Sequence, residues 1–174
     1  FDDEVTYRTI DLSRASYIDE KARRVRIGVS SESEVERSFG LEVLSHKAED
    51  VDMSFMASGT APLLNNHRMD EQIGVVEEFR LDEAAKRTIA VVRFGRSALA
   101  QEVFQDVVDG IKQNISVGYR VNKLEQSNND EIGDHYRASW TPMEASIVSI
   151  PADQSKQVGV GRSKSNKTPN IQVT

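Results

Sequence analysis

Residue types that together can activate a nucleophile occur in three separate stretches of this 174-residue chain. Ser116 lies in residues 113–120, where helical periodicity gives way to strand periodicity. His67 follows the apolar residues 62–64 and two asparagines, and Glu144 lies in an apolar setting further along. A serine hydroxyl is a weak nucleophile until a neighbouring base takes its proton, and imidazole titrates near neutral pH. A carboxylate on the far ring nitrogen would fix the tautomer, so these residue types predict a nucleophile, a base and an orienting acid.

The residues around the serine and the glutamate limit this prediction. Ser116 has no G-x-S-x-G pattern around it, although Gly118 would let backbone or substrate come close. Glu144 would need a partner if it pointed inward, because a buried unpaired carboxylate is strongly disfavoured. The alternative is that Glu144 faces water.

The other two histidines, His46 and His135, are weaker candidates for chemistry. The spacing of the three histidines does not place two imidazoles on one helix face, so no metal site is predicted. His46 lies in a charged stretch and is expected at the surface. His135 follows a polar loop at the start of a predicted strand and stays open as an alternative base. His67 is favoured because loops between regular elements often present functional residues.

Bulk properties exclude several classes of protein. The composition, 38% hydrophobic and 29% charged, is ordinary for a globular domain. A net charge of −6 argues against nucleic acid as the main partner, because phosphate binding needs a basic face. The absence of cysteine excludes disulfides, thiolate metal sites and a cysteine nucleophile. No apolar run approaches the roughly 20 residues that span a bilayer, so no membrane partner is predicted.

Apolar periodicity predicts mostly strands and one good helix. The strand candidates are residues 25–29, 39–43, 73–81, 88–94, 115–124, 135–140 and 145–150. The first two suggest an antiparallel meander, the next two a hairpin closed by residues 82–87, and Pro142 should separate the last two. Residues 96–112 are predicted to be helical with Ser97 as N-cap. We therefore expect a mainly β fold with peripheral helices, antiparallel and barrel- or sandwich-like.

The pattern divides the chain into three parts. Residues 1–16 give little periodic signal and are expected to form an arm or linker. Residues 17–153 form the predicted domain. Residues 154–174 contain no aromatic residue and few large apolar ones, and we expect a flexible tail or linker there. The chain begins at Phe1, which suggests a piece of something longer.

Three motifs resemble those of the tailed-phage prohead maturation proteases. Ala-Pro-Leu-Leu-Asn-Asn-His at residues 61–67, followed by Ile-Gly-Val-Val at 73–76, resembles their histidine motif. Ile-Ser-Val-Gly-Tyr at residues 115–119 resembles their serine motif, and residues 144–152 resemble the segment that follows. The resemblance covers about residues 25–152.

The resemblance implies a serine protease related to the herpesvirus assemblins, with an antiparallel β-barrel surrounded by helices. It implies Ser116 as the nucleophile, His67 as general base and acid, and Glu144 as the group that orients the imidazole. Assemblin-like relatives use a second histidine in place of the acid, so His135 is the rival to Glu144. Residues 39–44 resemble the subset fused to, or encoded with, a major capsid protein.

The implied role is cleavage of scaffold and capsid-protein segments inside the assembling prohead, in the host cytoplasm. Such an enzyme needs no metal or organic cofactor. Its implied partners are the scaffold and major capsid proteins, with self-cleavage and homo-oligomerisation as further expectations. Backbone N–H groups near Ser116, or the loop after Pro151, are expected to supply the oxyanion hole. Two alternatives are an inactive protease-like assembly module that binds capsid proteins, and a small-molecule hydrolase.

Overall fold

The computed structural model describes residues 18–129, 131–150 and 159–160. These residues are mainly strand, as the sequence predicts. The strands are β1 (Ile18–Asp19), β2 (Arg24–Ser31), β3 (Val35–Arg37), β4 (Gly40–Leu44), β5 (Pro62–Asn65), β6 (Arg68–Asp82), β7 (Arg87–Phe94), β8 (Asn114–Asn129), β9 (Gly133–Val148) and β10 (Gly159–Val160). One α-helix, α1 (Ala98–Val108), and two 3-10 turns (Ala48–Asp50 and Met56–Ser58) complete the described elements.

All ten strands belong to one curled sheet. Its order is β1-β2-β7-β6-β5-β9-β4-β3, with β8 paired to β9 and β10 paired to β2. The N–H of Val160 in β10 donates to the carbonyl oxygen of Gln113, which directly precedes β8, at 3.1 Å. The β10 segment therefore links β2 to the start of β8, and the sheet curls around its core.

The core lies inside this curl. One cluster joins buried residues of β2, β5 to β10 and α1. The rings of Phe94 and Phe104, whose centroids lie 5.1 Å apart, connect β7 to the helix. Because this single cluster contains residues from the helix and from nearly every long strand, the helix and the sheet share one core. Among the described residues, no helix is long and apolar enough to cross a membrane.

Two predicted elements are confirmed. Strands β6 and β7 form the expected antiparallel hairpin. Helix α1 begins after Ser97, whose Oγ accepts the N–H of Ala100 at 3.2 Å. The helix ends earlier than predicted, because Gly110 follows with a φ of +77° that does not continue a right-handed helix.

The predicted pairing was wrong in one respect. Strands β2 and β4 do not form a meander, since β2 pairs with β7 and β4 pairs with β3 and β9. Both β4 and β5 run parallel to β9 and pair with successive parts of the same edge. Long connections separate them from β9, so these parallel pairs need no tight turn. The other named pairs are antiparallel.

Strand β9 is also continuous where two shorter strands were predicted. Gly118 lies opposite Glu144 and Tyr119 opposite Pro142, so Met143 is the extra residue of a β-bulge. The bulge accommodates the proline without ending the strand. The polar loop expected before His135 is shorter than predicted, because β8 continues to Asn129 and β9 begins at Gly133.

The predicted arm and tail lie at the two ends of the chain. The expected arm at residues 1–16 and most of the expected tail lie outside the described residues. Within that tail, however, Gly159–Val160 pairs with β2 and Val160 is buried, so this part is not a free linker. The described residues contain one α-helix, fewer than a barrel surrounded by helices would have.

Candidate active site

Three neighbouring strands bring His67, Ser116 and Glu144 together. Strand β9 carries Glu144 and lies between β5 and β8. Strand β5 leads directly to His67, which lies in the tight turn before β6. Ser116 of β8 lies opposite Ser146 of β9, which is two residues after Glu144 and therefore on the same face of the strand. We call His67, Ser116 and Glu144 the candidate triad.

The candidate triad forms a continuous hydrogen-bonded chain. His67 Nε2 lies 2.9 Å from Ser116 Oγ, and His67 Nδ1 is hydrogen-bonded to Glu144 Oε1. The Glu144 side chain is only 7% exposed, whereas the His67 side chain is 42% exposed. A buried carboxylate therefore contacts one ring nitrogen, and the other ring nitrogen faces the serine at the edge of solvent. This geometry allows proton transfer from the hydroxyl to the imidazole.

His67 occupies a backbone conformation that few residues adopt. Asn66 and His67 have φ angles of +53° and +59°, the pattern of a two-residue type I′ hairpin turn. Backbone hydrogen bonds hold this turn to β9, since the N–H of Asn66 donates to the carbonyl oxygen of Ile147 at 2.9 Å. The side-chain oxygen of Asn66 also accepts the N–H of Ser149 at 3.3 Å. The turn thus presents the imidazole from a fixed position.

Ser146 is a residue of this site that the sequence reasoning missed. Its hydroxyl is fully buried, donates to Glu144 Oε2 at 2.7 Å and accepts the backbone N–H of His67 at 3.1 Å. The available signal was the Glu-x-Ser spacing, because alternate residues of a strand share one face. Ser146 therefore ties the carboxylate to the histidine turn.

Gly118 makes room for the carboxylate. A Cβ atom built on Gly118 would overlap Glu144 Oε1, so any larger residue would push the carboxylate away from His67. The sequence led us to expect that backbone or substrate would come close to Gly118. The group that approaches is the side chain of Glu144, directly across the β8–β9 pair.

The other two histidines lie away from the candidate triad. His46 was expected at the surface, and this was wrong, because it is 2% exposed. Its Nε2 lies 2.8 Å from Ser30 Oγ, and its Nδ1 donates to the carbonyl oxygen of Leu44 at 2.8 Å, so burial leaves no ring nitrogen unpaired. His135 is also buried, opposite Ser127 near the far end of the β8–β9 hairpin. The structure places Glu144, and not His135, beside His67.

A cleft of about 640 Å³ runs beside the candidate triad. Its walls come from β2, β3, β4 and β8, and it includes Ser116 and His67. Arg37 donates to the Tyr119 hydroxyl at 2.8 Å, and that hydroxyl donates to the Glu42 carboxylate. Burial raises the pKa of Tyr119 to about 12, and the hydrogen bond to Glu42 acts in the same direction. Tyr119 is therefore neutral at physiological pH.

The described residues include no group of three or more histidine, aspartate or glutamate side chains placed to hold a metal ion. The loop after Pro151, which was expected to contribute to an oxyanion hole, lies outside the described residues.

A serine hydroxyl, an imidazole and a carboxylate joined in this order on a mainly β scaffold have the arrangement that serine hydrolases use. The chain belongs to the caudovirus prohead serine protease family, whose model matches residues 29–170. It is also 42% identical over 151 residues to a major capsid protein of Halomonas phage phiHAP-1. That match covers 84% of this chain but only 24% of the capsid protein. No solved structure is significantly similar to the chain.

Proposed function

We propose that this chain is a serine endopeptidase that cleaves scaffold and capsid-protein segments during phage prohead maturation. The observation that carries the proposal is the position of His67, whose two ring nitrogens contact Ser116 Oγ and Glu144 Oε1. Membership of the prohead serine protease family supports the reaction class. The name of the similar phage protein, a major capsid protein, supports capsid proteins as partners.

Each member of the candidate triad has one role in this reaction. Ser116 Oγ attacks the carbonyl carbon of the scissile peptide bond while His67 Nε2 takes the hydroxyl proton. Glu144 holds the Nδ1 proton in place and stabilises the imidazolium that forms. The imidazolium then protonates the leaving amine, which departs and leaves an acyl group on Ser116. Water attacks this ester with His67 again as base, releasing the carboxylate product and the free hydroxyl.

The substrate is proposed to bind in extended form along β8. One edge of this strand pairs with β9. Consecutive residues of the strand, from Ile115 to Tyr119, line the cleft. An extended chain can add to a strand edge through main-chain hydrogen bonds. The curled sheet is consistent with an assemblin-like barrel, which we propose as the evolutionary relationship. Action inside the prohead, self-cleavage and self-association are further parts of the proposal.

Intact-mass analysis tests the proposal directly. The chain is incubated with the scaffold and capsid proteins of its phage, beside a Ser116→Ala copy. We expect fragments with serine and none with alanine, and the fragment ends identify the cleaved bonds. Fragments from both proteins would place the nucleophile elsewhere. No fragments from either, with binding retained in a pull-down, would contradict the proposal and favour an inactive assembly module.

A further inference from the structure

Aliphatic side chains make up much of the cleft beside Ser116. Val29, Val35 and Leu44 line it from β2, β3 and β4, and Val117 and Val121 line it from β8. Val121 is 38% exposed, and Val35, Leu44 and Val117 are half-buried. When an apolar group of a ligand covers accessible apolar surface in a concave site, both leave water, and this favours binding.

The charges of this cleft are already compensated. Apart from His67 and Glu144, the charged side chains that line it are Arg37 and Glu42. These two are paired, with Arg37 Nε 3.5 Å from Glu42 Oε1, and the hydroxyl of Tyr119 hydrogen-bonds to both. Glu42 is 4% exposed, so its negative charge is committed to these partners. A charged substrate side chain placed here would lose water without gaining an opposite charge.

The polar side chains of the β2 wall are similarly committed. Ser30 Oγ is hydrogen-bonded to His46 Nε2 at 2.8 Å and lies 2.5 Å from Thr88 Oγ1. All three residues are buried. This hydroxyl therefore offers little to a charged side chain that enters the cleft.

We propose that the cleft is a substrate subsite for aliphatic side chains on one side of the scissile bond, and that it rejects charged ones. The inference rests on the proposed function and adds its substrate class. The segment that occupies the cleft is an extended chain paired along β8, so its alternate side chains contact the Val and Leu walls. Cleavage sites are then recognised by aliphatic residues beside the bond.

A peptide series tests the inference. The parent peptide copies a bond cut in the capsid or scaffold substrate, and each position within four residues of that bond is changed in turn to Leu, Asp or Lys. We expect kcat/KM to be at least about tenfold lower for Asp and Lys than for Leu at two or more positions on one side of the bond. Equal values at every position would overturn the inference.

Two variants locate the effect in the cleft. Val35→Asp places a carboxylate in the cleft wall on strand β3. Val121→Asp does the same on strand β8, so the test does not depend on β3 alone. Each should raise the Lys/Leu ratio of kcat/KM by about tenfold or more. Ile111→Asp is the matched control, because Ile111 is 73% exposed and does not line the cleft. A ratio unchanged in both cleft variants, or changed equally in the control, would contradict the assignment.

Labelling with a fluorophosphonate separates this inference from the proposed function. The reagent reacts with an activated serine and needs no peptide side chain, so wild-type protein should label at Ser116 and a Ser116→Ala copy should not. A labelled protein whose cleavage ignores side chains would overturn the subsite alone. A wild-type protein that neither labels nor cleaves would overturn both.

Discussion

At the scale of single residues, the hydroxyl of Ser146 contacts both the carboxylate of Glu144 and the backbone of His67. Removing it would leave a buried carboxylate with one donor fewer and would remove one of the hydrogen bonds that hold the turn carrying the imidazole. The site thus depends on a fourth side chain that takes no proton in the proposed reaction.

We expect Ser146→Ala to lower kcat/KM by roughly 10- to 100-fold, because small displacements of a general base are costly. The same change should lower the free energy of unfolding by about 1–3 kcal/mol, since a buried hydrogen bond to a charged group is lost. Peptide kinetics and urea unfolding measure the two effects. Ser54→Ala, which removes an exposed hydroxyl bonded to Asp52, is the control and should change neither quantity appreciably. Full activity in Ser146→Ala would show that Glu144 needs no such support.

The backbone of His67 leads to a second prediction. A residue with a Cβ atom costs about 1–2 kcal/mol in the left-handed region, whereas glycine does not. His67→Gly and His67→Ala both remove the imidazole, so their difference reports this backbone cost less the larger unfolded-state entropy of glycine. We expect His67→Gly to be the more stable of the two by about 1 kcal/mol in urea unfolding, with both inactive. Equal stability would mean that the turn relaxes when the ring is removed.

The individual residues of the candidate site were largely accessible from sequence. His67, Ser116 and Glu144 were singled out by residue type, setting and motif, and the structure brings these three together. Ser146 and the burial of His46 were not foreseen. Both depend on hydrogen-bond partners that the fold brings in from distant parts of the chain, Ser30 for His46 and the backbone of His67 for Ser146, and residue type alone does not reveal such partners.

At the scale of elements, the β8–β9 pair determines where the carboxylate lies. The bulge at Met143 brings Glu144 opposite Gly118, and the missing side chain of Gly118 admits the carboxylate. The strand register and the small residue Gly118 therefore together determine the position of the Glu144 carboxylate.

Gly118→Ala tests this relation. The added methyl group would overlap the carboxylate, so we expect kcat/KM to fall about 100-fold or more as Glu144 is displaced from His67. Gly95→Ala is the matched control, because a Cβ atom there would meet its nearest neighbour, Ile73 O, at an ordinary 3.6 Å. Peptide kinetics on both variants provide the comparison. An active Gly118→Ala protein would show that the strands can separate without cost to the site.

Local elements were easier to predict than their partners. The β6–β7 hairpin and the capped helix α1 are encoded by neighbouring residues, through turn length, β-branched side chains and Ser97. The parallel pairs of β9 with β4 and β5 join segments far apart in the chain. Apolar periodicity predicts a strand but does not indicate which other strand it pairs with. Pro142 misled for a related reason, because a bulge can absorb a proline within a strand.

At the scale of the whole molecule, Glu32 connects parts of the chain that are distant in sequence. Its Oε2 accepts the backbone N–H of His46 at 2.7 Å, and its Oε1 accepts two hydrogen bonds from Arg137 at 3.2 and 3.1 Å. Burial alone would raise the pKa of Glu32, but hydrogen bonds with His46 and Arg137 and the charge of Arg137 outweigh it and lower the pKa to about 2.

This lowered pKa predicts acid sensitivity. In the unfolded chain Glu32 titrates near 4.5, so its contribution is fully present above that pH and is lost as the pH falls towards 2. We expect a loss on the order of 2–3 kcal/mol in the free energy of unfolding across this window from Glu32. Urea unfolding at several pH values between 6 and 2.5 measures this effect. The free energy of unfolding should fall less steeply with decreasing pH in Glu32→Gln than in wild type. Glu34→Gln, which removes an exposed carboxylate nearby, should keep the wild-type slope, and equal slopes in all three proteins would contradict the assignment.

The position of β9 between β5 and β8 has a consequence for timing. His67 and Glu144 are 77 positions apart in sequence, and only the docking of β9 brings them into contact. A growing chain that has emerged from the ribosome only as far as Ser116 already carries the serine and the histidine but has no acid beside them. The proposed peptidase therefore stays inactive until β9 has been synthesised and has paired with β8 and β5.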